Sequence, residues 1–387
     1  MDKELLTRGV SKIYTEKELK KALDSKKLRI YYGVDPSGPV IHLGHAVHLR
    51  KLREFQKMGH KVIFLIGDFT GMIGDPTDRF AARQPLTRKQ VLDNAKTYKK
   101  QVSRFINFSG KNPAEIRFNS EWNDKLNFKD LIQISSHFTV QRLLERDMYQ
   151  ERIRKGKSIS LHEFIYPVIQ GYDAVMLEAD IQIGGTDQTF NMLQGRELMR
   201  GLKNKLNIVI TLELLEGTDG RKMSKSFNNI IAIEDKPKDM YGKIMSLRDE
   251  LIGKYFKLAT ELPQVKVREI EKRIKAGDNP RDLKAKLAYE IVKLYWGEKE
   301  AKKAEDEFNK VFRDKDRPAD IPEANLSGKD LLDGLVSASV VSSKSEVRRL
   351  VAQGGIKVDD KQIPDPFYKL TKGNIVRIGK RKWLKIK

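Results

Sequence analysis

The sequence predicts an α/β protein: a parallel sheet covered by helices, then a helical stretch, then a small basic α+β module. Three observations carry this. Short β-rich apolar runs alternate with amphipathic stretches as far as residue 228. Residues 229–315 are charge-rich and helical in pattern. Basic charge is then concentrated from residue 327 to 387.

In the first region, Leu28–Val34 reads as a strand and Lys61–Gly67 as another, with Leu49, Leu52 and Phe55 at helical spacing between them. Strand, helix, strand is a βαβ unit, which implies parallel pairing and helices on the sheet faces. Ligands of such Rossmann-like sheets sit at the carboxyl ends of the strands. The second region holds one helix that reads clearly. Asn279-Pro280 opens it, Leu283, Leu287, Ile291 and Leu294 give it an apolar face, and Gly297 stops it. The polar, proline-punctuated stretch around 316–326 reads as a linker. In the third region Ser343–Val358 reads as a short helix, a glycine stop and a strand, with Val347, Leu350 and Val351 as the packed face.

The 387 residues give room for one to three domains. A net charge of +22 favours a polyanionic partner. Ten lysines and four arginines against six acidic residues give 327–387 the densest share of it, as expected of an arm that grips nucleic acid. A solvated lysine-rich tail has the same charge. No cysteine is present, which excludes disulfides, thiolate metal sites and a cysteine nucleophile. Met1–Leu5 lacks the pattern of a secretory signal, and no apolar run approaches the roughly 18 residues needed to span a bilayer. A cytoplasmic protein without membrane contact is expected.

Two elements point to phosphate chemistry. After the first strand, Gly33-Val34-Asp35-Pro36-Ser37-Gly38-Pro39-Val40-Ile41-His42-Leu43-Gly44-His45 leads through a turn into a helix N-terminus, where free N–H groups and the helix dipole favour anions. His42 and His45 are spaced to donate to phosphate oxygens, and Gly44 allows a flat base or sugar close to the backbone. Two surface histidines at a turn fit this tetrapeptide equally well. A zinc site from His42, His45 and His48 is disfavoured because these spacings spread the rings around the helix, so no metal is expected. Far along the chain, Gly220-Arg221-Lys222-Met223-Ser224-Lys225-Ser226 is a loop whose two lysines can wrap a polyphosphate. Alone it is also an ordinary basic loop; paired with the histidines it points to one nucleotide site. Elsewhere, Tyr166, Gln170 and Asp173 advance by four and three residues and so share a helix face. An internal hydrogen-bond network is the alternative to a ligand pocket there.

His-x-Gly-His and Lys-Met-Ser-Lys-Ser resemble the signatures of class I aminoacyl-tRNA synthetases. The surrounding residues are similar to bacterial-type tyrosyl-tRNA synthetases over essentially the whole chain. The resemblance implies a Rossmann-like catalytic domain over 1–228, an inserted dimer connector at about 110–160, a helical anticodon-region domain over 229–315 and an RNA-binding domain over 327–387. It implies that Tyr31 and Asp173 bind the phenolic hydroxyl of L-tyrosine, that Asp75, Tyr166 and Gln170 hold its ammonium, and that Gln188 contacts the amino acid. It places Gly33, Asp35, Gly44, Gln182, Gly185 and Asp187 around ATP or the adenylate. It gives His42, His45, Lys222, Lys225, Arg79 and Arg83 to the phosphates, and Lys344, Arg348, Arg349 and Lys357 to tRNA. ATP, Mg²⁺ carried with it, tRNA(Tyr) and a second copy of the chain are the implied partners. Sites built to bond a hydroxyl reject the analogue lacking it, a rule these enzymes themselves illustrate, so no editing domain is required.

Tyr32, Val34 and Ser37 depart from the common pattern and bear on ATP positioning. The Tyr31 and Asp173 pair and the basic module argue against the tryptophanyl sister enzyme. The intact signatures argue against a catalytically dead RNA-binding scaffold. A small nucleotidyltransferase with the histidine element alone leaves 222–226 unexplained.

Overall fold

The computed structural model describes residues 4–75, 86–224, 227–312, 321–379 and 382–387. The chain divides into two compact units, residues 1–302 and 303–387.

The first unit is built on a six-stranded sheet: β1 (Val10–Tyr14), β2 (Arg29–Val34), β3 (Lys61–Ile66), β4 (Glu115–Phe118), β5 (Ile181–Gly185) and β6 (Ile208–Leu212), in the order β1-β6-β5-β2-β3-β4. All neighbours are parallel except β1, which runs against β6. The two strands expected from the apolar runs are β2 and β3, and the helix between them, Leu43–Lys57, buries Leu49, Leu52 and Phe55 completely. Alternation sends Tyr31, Ile63 and Leu65 to one face, against helices Leu161–Met176 and Thr189–Lys203. Tyr32 goes to the other, where it meets helix Leu43–Lys57 through His48. Both faces are therefore covered. Chain order reverses between β2 and β5, and the crevice outside their carboxyl ends is where a doubly wound sheet receives its ligand.

Residues 237–296 add four helices to this unit, Pro237–Met245, Ile252–Ala259, Gln264–Lys275 and Pro280–Trp296. In the last, the Asn279 side chain accepts from Arg281 N, and Gly297 sits at φ 86° beyond the final turn. Leu283, Leu287 and Ile291 are buried as the spacing predicts. Leu294 is only half-buried, and Val292 takes the inner position. Arg8 ties this region to the N-terminal segment by donating to three carbonyls at a helix end, Lys257 O (2.9 Å), Thr260 O (2.7 Å) and Leu262 O (2.7 Å). These are acceptors a helix C-terminus leaves without partners.

The second unit is α+β. Strands β7 (Glu323–Ala324), β8 (Ile356–Val358), β9 (Lys361–Gln362), β10 (Ile375–Ile378) and β11 (Lys382–Ile386) form a sheet in the order β7-β11-β10-β8-β9. Its core includes Leu331, Leu335, Val347, Val351 and Val376, with Leu350 packed against it. Ser343 caps helix Lys344–Ala352 by accepting from Glu346 N. Lys344, Arg348 and Arg349 stay exposed, Lys344 pairing with Asp333 at 2.5 Å, while Lys357 is half-buried on β8. Among the described residues no helix is long and apolar enough to cross a membrane.

Candidate active site

A cavity of about 560 Å³ opens at the carboxyl ends of β2 and β5. Of the residues singled out in the sequence, Tyr31, Gly33, Asp35, His42, Gly44, His45, Asp75, Tyr166, Gln170, Asp173, Gln182, Gly185, Asp187, Gln188 and Lys222 all line it. Arg79, Arg83 and Lys225 lie outside the described residues.

The histidine element forms the start of helix Leu43–Lys57. His42 is its cap residue and His45 its third residue; His45 Nδ1 accepts from His42 N at 3.3 Å, and the ring centroids are 3.9 Å apart. Burial, and then the neighbouring His42, His48 and Lys222, push the His45 imidazole well below its ordinary range, so it is neutral. A methyl group at Gly44 would come within 3.0 Å of the His42 ring, so glycine keeps that ring in place. His48 stacks on Tyr32 with centroids 4.7 Å apart and planes 5° apart, which gives Tyr32 a packing role.

The lysine loop is stitched to the histidine element through the main chain. Leu43 N donates to Ile231 O (2.9 Å) and Ile233 N to Ile41 O (3.1 Å), with a β-bridge between His42 and Ala232. Buried Asn229 holds the turn before it. Its Oδ1 accepts from Ser224 N (2.8 Å), and its Nδ2 donates to Asp219 Oδ1 (2.7 Å) and Lys222 O (3.0 Å). Lys222 Nζ reaches Asp187 Oδ2 at 2.6 Å. Two signatures 177 positions apart in sequence thus share one cavity wall.

The deeper end is acidic and tightly bonded. Asp173 is buried, and its carboxylate accepts from Trp122 Nε1 (2.8 Å), Asn119 Nδ2 (3.1 Å) and Asn123 Nδ2 (3.4 Å). Burial nonetheless pushes its carboxyl up to about 7 against these donors. The Tyr31 hydroxyl donates to Gln182 Oε1 (2.7 Å) and not to Asp173. Tyr31 and Gln182 are register partners on β2 and β5, and Gln182 is fixed in turn by Met192 O (2.9 Å) and Asn207. Burial, with the Asp173 charge behind it, raises the Tyr31 phenol well above its ordinary value and keeps it protonated.

Tyr166, Gln170 and Asp173 share one helix face as the spacing predicts, and each reaches the cavity. The Tyr166 hydroxyl donates to Asp35 Oδ2 (2.8 Å), while Thr70 Oγ1 donates to Asp35 Oδ1 (2.6 Å). A Cβ at Gly67 would fall 2.0 Å from Asp35 Oδ1, so only glycine fits there. Gln170 Nε2 donates to Gln188 Oε1 (3.4 Å), and Gln188 Nε2 to Asp75 Oδ2 (2.6 Å). The buried Gln170 Oε1 has no hydrogen-bond partner among the described residues. The cavity therefore offers carboxylates and amide oxygens to a cationic group and a hydroxyl at one end. At the other it offers a helix N-terminus, the His42 and His45 imidazoles and a lysine to phosphates.

Sequence reasoning did not find Thr70, Asn119, Trp122, Asn123, Arg146 or Asn229. Thr70, Asn119, Trp122, Asn123 and Arg146 have partners on distant stretches, and Asn229 holds a turn 5 to 10 positions before it, so no helical or strand spacing marks any of them.

The family model "tRNA synthetases class I (W and Y)" matches residues 23–313, a span that contains this whole cavity, and an S4 domain matches residues 331–376. The fold and the site are those of a class I synthetase of this branch. A tyrosine–tRNA ligase of Thermotoga maritima is 46% identical over 99% of this chain and 96% of its own length, and one of Oleidesulfovibrio alaskensis is 45% identical over 100% and 99%. A truncated mitochondrial tyrosyl-tRNA synthetase of Coccidioides posadasii has a similar solved structure, with a TM-score of 0.62 and 26% identity over 78% of this chain and 90% of that one. The chain belongs to the tyrosine–tRNA ligase family.

Proposed function

We infer that this chain activates L-tyrosine with ATP to tyrosyl-adenylate and pyrophosphate, then transfers tyrosine to the 3′ end of tRNA(Tyr). The observation that carries the reading is the convergence of His42, His45 and Lys222 with the Asp173 pocket in one cavity. A tyrosine carboxylate oxygen attacks the α-phosphorus, and the bond from that phosphorus to the bridging oxygen breaks as pyrophosphate leaves. No side chain is needed as a covalent nucleophile. The protein's part is to align the two substrates and to stabilise charge on the transferring phosphoryl group. His42 and His45 contact the phosphates at the helix start; Lys222, Lys225, Arg79 and Arg83 take the charge of the departing pyrophosphate. Mg²⁺ enters with ATP as part of the substrate.

Tyr31 and Asp173 bond the phenolic hydroxyl, Asp75, Tyr166 and Gln170 the ammonium, and Gln188 the aminoacyl group. Gly33, Asp35, Gly44, Gln182, Gly185 and Asp187 surround the nucleotide. The tRNA ribose hydroxyl then replaces AMP at the tyrosyl carbonyl, with Lys344, Arg348, Arg349 and Lys357 of the S4 domain gripping the tRNA. A homodimer through the connector is supported by apolar side chains left in the open there, Phe128 (86% exposed), Ile132 (70%), Val140 (65%) and Leu161 (77%). A cytoplasmic location is the reading that goes with this function.

ATP–pyrophosphate exchange across the twenty amino acids tests this. Tyrosine alone is expected to support exchange. Exchange with tryptophan instead overturns the substrate; no exchange with any amino acid, while tRNA still binds, favours an RNA-binding scaffold.

A further inference from the structure

We propose that Arg146 is a positioning residue for the ammonium subsite, fixing the Asp75 carboxylate from the side away from the cavity. This rests on the reading of Asp75 as the acceptor of the substrate ammonium. Arg146 immediately precedes helix Asp147–Arg154 and is only 5% exposed. Its guanidinium lies by the rings of Tyr149 and Phe190, with centroids at 5.6 and 5.3 Å, so the side chain is held by packing as well as charge. From there its Nη2 reaches Asp75 Oδ1 at 3.3 Å, while Gln188 Nε2 holds Asp75 Oδ2 at 2.6 Å. One oxygen is taken from each side, which sets the plane of the carboxylate. Asp75 and Gln188 line the cavity and Arg146 does not, so the guanidinium acts on the ligand through Asp75.

The arrangement has a chemical purpose. A carboxylate held by one oxygen only can turn away, and its aim at the ammonium is then lost. A planar guanidinium on the second oxygen keeps it aimed. The effect is therefore confined to ligands that carry the ammonium.

The test compares wild type, Arg146→Met and Arg146→Lys in tyrosine-dependent exchange, with two competitive inhibitors. Tyramine keeps the ammonium and lacks the carboxylate; 3-(4-hydroxyphenyl)propionate keeps the carboxylate and lacks the ammonium. Arg146→Met is expected to raise KM for tyrosine and Ki for tyramine roughly tenfold, the usual loss when a supporting contact is removed. KM for ATP, kcat at saturating tyrosine and Ki for the propionate stay at wild-type values, and Arg146→Lys recovers part of the loss. Tighter tyramine binding in Arg146→Met makes Arg146 a competitor for Asp75 and overturns the proposal. Equal weakening of both inhibitors means general damage, and no change means no role; either overturns it too. Wild type failing to exchange with tyrosine strikes the reading of the site itself, a result separate from all of these.

Discussion

Lys222 and Asp187 are joined Nζ to Oδ2 at 2.6 Å, across 35 positions of sequence, tying the lysine loop to the turn that follows β5. The lysine charge is thus held on a carboxylate of the cavity wall, where, on the proposed function, an incoming triphosphate would compete for it. Replacing Lys222 by Ala is expected to lower kcat for exchange about a hundredfold, the scale for losing one preorganised transition-state donor. Tyrosine binding by equilibrium dialysis stays unchanged. A matching loss of tyrosine binding would show that the loop shapes the amino acid pocket instead.

Asp173 gives the site a pH dependence whose sign follows from its burial. Its carboxyl, pushed up to about 7, is partly protonated near neutrality. A substrate hydroxyl that donates to it stabilises the ionised form, so the Kd for tyrosine should rise as pH falls through about 7. Asp173→Asn should bind weakly and show no such step. The ligand-free fold has the opposite slope. A folded value above the ordinary 3.8 means that ionisation costs stability, so this group's contribution falls as pH rises from 3.8 to about 7 and is level above. Thermal unfolding of wild type and Asp173→Asn across that interval checks it: the difference between them must change in that direction.

Asn229 is expected to act on catalysis through the loop it holds. Asn229→Ala leaves Ser224 N without its acceptor and takes one donor from Asp219, which keeps those of Arg221, a loss of about 1–3 kcal/mol. Most of it should appear as faster proteolysis within 217–229 and a lower kcat for exchange, with tyrosine binding near wild type. Loss of overall stability without protease sensitivity in that turn would contradict this.

Removing residues 327–387 takes away most of a unit that carries its own apolar core. The shortened chain is expected to keep exchange near the full-length rate and to raise the KM for tRNA in charging by at least tenfold, the scale for losing several phosphate contacts. Exchange collapsing along with charging would mean that the two units do not act separately.

The parts legible in the sequence were those with a period or a signature. Leu49, Leu52 and Phe55 lie on the buried stripe that their spacing predicts, and the Asn279 cap stands at the start of its helix. Leu294 shares the angular position of Leu283 and Leu287, as the 4-4-3 spacing requires, but it lies in the last turn before Gly297 and is only half-buried, while Val292 on the flank of that face is buried. The polar support of Asp173 was not legible, because Asn119, Trp122 and Asn123 lie in and beside a four-residue helix with no stripe of its own, 50 to 54 positions from the group they hold. Family resemblance paired Tyr31 with Asp173 through a substrate. It did not show that the phenol donates to Gln182.

The stitch between Ile41–Leu43 and Ile231–Ile233 joins the segment of His42 to the one that follows Lys222 by main-chain hydrogen bonds, which do not depend on the side chains there. The wall proposed to read the amino acid side chain stands on other segments, β2 and the helix bearing Asp173. An engineer can therefore recarve the second, to admit a different side chain, while leaving the chemistry of the first in working order.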